Sequence, residues 1–212
     1  MVKNNPTTLH TLHDRQPSIA REEWTDEKWR KEREDWRALV GDWSSRSDKP
    51  PRYIAIHEAG HAIAACRFRH GFWFVKLNPR SGASVPRNYQ PRERDYKLRR
   101  AIGLMAGAFA EARYLRKSAF ARLARYDDGG DLTTARRLLM TSGVTLEYLA
   151  THYVRPCIRE YWPAINAIAD LLQDRGFIEF DEPDVLAITG KISRMSEAIR
   201  SSQAAGDLRP SA

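Results

Sequence analysis

Cysteine is scarce in this chain. Its 212 residues hold two, Cys66 and Cys157, far apart and in no C-x-x-C pair. That spacing suggests neither a disulfide framework nor a thiolate zinc site, and it fits a reducing compartment. No run approaches the ~18 to 20 uninterrupted apolar residues of a membrane span, and the first residues lack the apolar core of a secretion signal. A soluble, cytoplasmic protein is expected. There is no G-x-x-x-x-G-K-S/T phosphate loop, because the one Gly-Lys pair, Gly190-Lys191, is followed by Ile192. ATP binding through a P-loop is thereby excluded. Internal repeats are missing as well.

Acidic residues are in deficit, 27 against 35 Lys and Arg, which leaves a net charge of +8. The basic residues are spread along the chain, concentrated only at Arg92 to Arg100 and Arg113 to Arg125, with no zinc finger or aromatic-basic RNA signature. Solvated helix faces account for most of them. Weak, non-specific nucleic-acid binding is the expectation. Hydrophobic residues make up 42%, enough for the core of one medium domain with an appendage.

Against these absences stands one concentrated signal, His57-Glu58-Ala59-Gly60-His61, an H-E-x-x-H motif. It is flanked by Tyr53-Ile54-Ala55-Ile56 and Ala62-Ile63-Ala64-Ala65, apolar on most faces as a buried helix would be. On a helix, side chains at i and i+4 stack on one face, so both imidazoles can grip one tetrahedral Zn²⁺. Glu58 then sits beside the metal, where a carboxylate can take a proton from an activated water attacking a peptide carbonyl. Metal, nucleophile and base come from five residues.

The rest of the chain is predominantly helical by pattern. Residues 1–20 read as a flexible tail, and residues 21–50 as a Trp-rich amphipathic helix and linker. In that helix Trp29, Trp36 and Trp43 recur every seven residues, and Ser44 to Pro51 forms the linker. The catalytic domain is expected over 51–200 and a polar tail over 201–212. The motif helix runs from about Arg52 to Arg69, with Gly71 as its C-terminal cap. Phe72 to Leu77 reads as a strand, and Asn78 to Arg94, with three prolines, as a loop. A helix of small apolar residues follows from about Asp95 to Lys117, with Glu111 at the end of the apolar run. After the Asp127-Asp128-Gly129-Gly130 turn, Asp131 opens another helix. Pro156 and Pro163 divide or kink the helical stretch from Leu146 to about Arg175. Phe177 to Phe180 is a short extended link, and a last helix starts near Asp181.

Catalytic zinc sites usually have three protein ligands and an open position. Candidates for the third are His70, His152, Glu111 and the Asp127, Asp128, Asp131 cluster. His70 lies nine residues past His61 at the far end of the same helix, too distant to share the ion. The extended metzincin motif and a thermolysin-like second Glu are both missing, so an acidic ligand beyond a helix is favoured. Glu111 could instead support a zinc-binding His from behind.

Several ordered segments resemble the peptidase domain of FtsH-type ATP-dependent zinc metalloproteases. Ile56-His57-Glu58-Ala59-Gly60-His61-Ala62 is similar to that family's zinc helix, and Met105-Ala106-Gly107-Ala108-Phe109-Ala110-Glu111 to its Gly- and Ala-rich helix ending in Glu. Gly130-Asp131-Leu132-Thr133-Thr134-Ala135 resembles its Asp-Leu ligand segment, and Trp162 to Leu172 with Asp181 to Leu186 its C-terminal helices. The resemblance covers roughly Tyr53 to Ile188. It implies a mainly α, helical zincin-type fold with a short β element after the zinc helix. It implies His57, His61 and Asp131 as the Zn²⁺ ligands and Glu58 as the catalytic base. FtsH-type enzymes also carry membrane anchors and a hexameric ATPase module, neither of which the sequence shows, so any ATPase would act in trans. The expected function is a zinc metalloendopeptidase acting on polypeptide. Its alternative is a non-catalytic, zinc-stabilised module binding protein or nucleic acid.

Overall fold

The computed structural model describes residues 26–41, 43–68, 71–86, 96–119, 130–190 and 192. The chain divides into two units, Met1–Leu39 and Val40–Ala212. In the first, α1 (Asp26–Val40) is a largely polar helix carrying Trp36 half-buried. Both expected tails lie outside the described residues.

The second unit is mainly helical with one small sheet. Its centre is α2 (Arg52–Phe68), the motif helix, whose Ala55, Ile56, Ala59, Ala62 and Ile63 are fully buried. The chain reverses after it at Gly71, which has φ +89° and returns its N–H to the Ala65 carbonyl. A left-handed residue is the usual end of a helix, and glycine takes that conformation without a Cβ penalty. β1 (Phe72–Asn78) and β2 (Ser81–Pro86) then form an antiparallel hairpin with Leu77 opposite Gly82, and β3 (Phe177–Glu179) pairs with the other side of β1, giving the order β2-β1-β3.

Two expectations change here. The segment from Asn78 is a hairpin through Pro86 and not a loop, because Pro79 serves the two-residue turn and Pro86 sits at a strand end where no donor is needed. Residues 87–94 of that segment lie outside the described residues. The Phe177 to Phe180 link is a third strand over its first three residues.

α2 packs most extensively on α3 (Tyr96–Leu115) and crosses it at glycine and alanine. A Cβ at Gly60 would lie 2.7 Å from Ala110 Cβ and 2.8 Å from the Ala106 carbonyl oxygen. The backbones meet only because Gly60 has no side chain. α4 (Asp131–Leu139) also packs on α3, held by buried Leu132, Ala135 and Leu139. The division expected around the two prolines has a physical form. α5 (Leu146–Leu149), capped by the Thr145 side chain, widens into a π turn at Ala150–Val154 before α6 (Arg155–Glu160). The wider turn spares the Pro156 ring a clash with the carbonyl four residues earlier. α7 (Trp162–Arg175) starts afresh with Pro163 in its first turn and ends at left-handed Gly176. α8 covers 183–190.

Trp43 leaves the expected aromatic stripe. α1 stops at Val40, Gly41 turns with φ +50°, and Trp43 enters a short 3-10 turn, Trp43–Ser45. Its indole is buried, its Nε1–H donates to the Gln173 carbonyl at 3.0 Å, and a Cβ on Gly176 would run into its ring. Gln173 also donates to the Pro50 carbonyl, so the expected linker is fastened to α7. Trp43→Ala empties a filled site and leaves a carbonyl unmet. It is expected to cost about 3–5 kcal/mol of stability in a denaturant titration.

Candidate metal centre

α2 and α3 run antiparallel, so each histidine meets a different turn of α3. His61 Nδ1–H donates to the Gly103 carbonyl at 2.7 Å, and His57 Nδ1–H donates to Glu111 Oε2 at 3.1 Å. Both partners are acceptors, which places a hydrogen on each Nδ1 and turns each Nε2, the atom a metal ion would take, toward the other. Those two atoms are 3.0 Å apart. Asp131, the first residue of α4, brings Oδ2 to 3.0 Å from His61 Nε2 and 3.7 Å from His57 Nε2.

Three electron-rich atoms thus converge from two helices. A tetrahedral cation with ligands at about 2.0–2.1 Å spaces them by about 3.3 Å, within the observed range. Among the described residues, His57, His61 and Asp131 are the group able to hold a metal ion. The Glu111 side chain is 0% exposed and the imidazoles 13% and 15%, whereas 33% of the Asp131 side chain reaches solvent. The cluster is closed from behind and open on the Asp131 side.

Electrostatics follow from this packing. Burial pushes the Asp131 carboxyl upward, but the charges and hydrogen bonds of the two imidazoles outweigh it and hold the group well below the usual carboxylate range. Burial pulls His61 down, and the Asp131 charge more than reverses it. Glu58 is 6% exposed, and burial raises its carboxyl against the pull of His57 and His61. A raised carboxylate lies nearer the range where general bases work.

Two glycines shape the site. A Cβ on Gly107 would lie 2.7 Å from His57 Cδ2 and Nε2 and would also strike His61. On β2, a Cβ at Gly82 would reach 2.9 Å from Glu58 Cδ and Oε1. The imidazoles therefore rest on bare α3 backbone, and Glu58 lies directly under the edge strand.

Each candidate ligand has a place. His57, His61 and Asp131 come together, and Glu111 stands behind His57. His152 is exposed and stacks on Tyr148 at 4.4 Å between ring centroids, apart from the cluster. His70, Asp127 and Asp128 lie outside the described residues. The roles of Gly82 and Gly103 were not evident in the sequence. Gly103 and Gly107 do share the i, i+4 spacing of the two histidines.

Neither the protein-family models nor the curated proteins match this chain. No helix among the described residues is long and apolar enough to cross a membrane.

Proposed function

We propose that this chain is a zinc metalloendopeptidase of helical zincin type, related in its site to the peptidase domain of FtsH-type proteases. The observation that carries the reading is the convergence of two Nε2 atoms and one Asp131 oxygen beside a buried Glu58. Two imidazoles and a carboxylate are a donor set suited to zinc, and Glu111 and the Gly103 carbonyl orient the imidazoles as such sites require. Zinc, when bound, supplies a Lewis acid for the scissile carbonyl and makes a coordinated water more acidic.

The chain supplies the remainder. Glu58 accepts the water proton on its carboxylate and passes it to the leaving amine nitrogen. β2 is an edge strand lying over Glu58, and its outer main-chain groups offer an extended peptide a partner by strand addition. Extended peptides come from unfolded or loosely structured polypeptides, which an ATPase acting in trans could deliver.

Elemental mass spectrometry of the purified chain tests the reading. About one zinc per chain in wild type is expected, with a clear loss in folded Asp131→Ala. No zinc in wild type after reconstitution would overturn the metallopeptidase and the zinc-stabilised binding module alike.

A further inference from the structure

A glycine inside a strand weakens it, since it packs nothing and loses much conformational freedom on folding. Gly82 holds such a place, opposite Leu77 in a hairpin register that runs unbroken from Phe74 to Asn78. Its backbone does not demand glycine. The positive φ angles among the described glycines belong to Gly41, Gly71, Gly143 and Gly176, so an alanine could adopt the Gly82 conformation.

The neighbourhood is what demands it. The three heavy atoms nearest to a Cβ built on Gly82 all belong to one side chain: the Cβ would overlap Glu58 Cγ and lie 2.9 Å from Glu58 Cδ and Oε1. At Gly60 the added carbon would instead strike the α3 main chain. Main chain cannot yield, whereas a glutamate can turn about its own bonds. To regain a carbon–carbon spacing of about 3.5 Å, Glu58 Cγ would have to retreat by about 1 Å, taking the carboxylate with it. The fold would survive and the carboxylate would be in the wrong place.

Without the Cβ, the strand lies on the Glu58 stem and head together. A glutamate held between its own helix and a strand keeps its carboxylate in one position before any substrate arrives. Gly82 is also part of the edge strand whose main chain is offered to an extended peptide. One residue therefore touches both the strand that carries the peptide and the group that moves its proton.

We propose that Gly82 is a positioning residue, whose missing side chain seats β2 on Glu58 and fixes the carboxylate relative to an added peptide strand. The proposal rests on the peptidase reading. Strand addition and proton transfer are aligned through this one contact, and a displacement of about 1 Å is enough to lower turnover by about 10²-fold.

The test uses the full chain loaded with zinc and a dye-labelled unfolded protein as substrate. Gly82→Ala is expected to lower kcat by about 10²-fold, with zinc content kept and KM changed by less than about twofold. In Glu58→Gln the same alanine should alter the residual rate by less than about twofold, because a residue that acts through the carboxylate has nothing left to act on. Equal losses in the two backgrounds, a loss carried by KM, or an unchanged kcat overturns the proposal. A second measurement needs neither zinc nor hydrolysis. Gly82→Ala should lower the urea midpoint of wild type and leave that of Glu58→Ala unmoved, since the obstructing stem is gone. Should Gly82→Ala fail to fold, Glu58→Ala must restore folding; equal midpoint shifts, or failure to fold in both backgrounds, overturns the contact. Zinc-loaded wild type that hydrolyses nothing overturns the peptidase reading, and the catalytic role of Gly82 with it, even where the midpoints show the two residues coupled.

Discussion

Glu58→Gln is expected to lower hydrolysis of a dye-labelled unfolded protein by about 10²–10⁴-fold, the usual contribution of a positioned general base. Zinc per chain and melting temperature should stay at wild-type values. The amide matches the carboxylate in shape, so it fits beneath Gly82 and leaves His57, His61 and Asp131 undisturbed. What it loses is the ability to accept a proton. The pairing of measurements decides the matter: hydrolysis unchanged by Glu58→Gln would remove the carboxylate from the chemistry, even with one zinc bound. A non-catalytic module would show no hydrolysis to lose.

A single methyl group at Gly107 should be nearly as damaging. Gly107→Ala places a carbon against both imidazoles, and neither ring can swing aside without giving up its Nδ1 hydrogen bond to Glu111 or Gly103. Nor can α3 easily step back, because it is seated on Gly60 through Ala106 and Ala110. Metal affinity is expected to fall by about 10- to 100-fold, read by titration against a competing chelator. Gly103→Ala is the control on the same helix. Its methyl group meets nothing within 4 Å among the described residues, so metal affinity should be kept and the fold should gain about 0.5–1 kcal/mol from the better helix former. Equal metal loss in the two variants would mean that general loosening of α3, and not contact with the imidazoles, controls the site.

The contrast between these glycines shows where sequence reading stops. The two histidines and Glu58 are legible because their arrangement is local: five consecutive residues on one helix fix it. Asp131 lies 70 residues further on, so spacing leaves it one of several acids, and the family resemblance singles it out. Helix boundaries follow from apolar periodicity and, at Gly71, from a glycine cap. The second strand is hidden because Gly82 and Pro86 carry turn chemistry in isolation. Gly82 is suited to its strand by the carboxylate beneath it, a contact between segments that no local pattern encodes. Trp43 illustrates the same point in reverse, since its seven-residue spacing from Trp36 is helical while its indole is claimed by α7.

His61 is oriented by a main-chain oxygen, and His57 by a side chain. A mutation can delete Glu111, but no substitution deletes the Gly103 carbonyl, which is lost only when that turn of α3 opens. Local fraying of α3 at that turn would free His61 from its orienting partner and weaken its hold on the ion. Amide hydrogen exchange along α3 should slow as the ion binds.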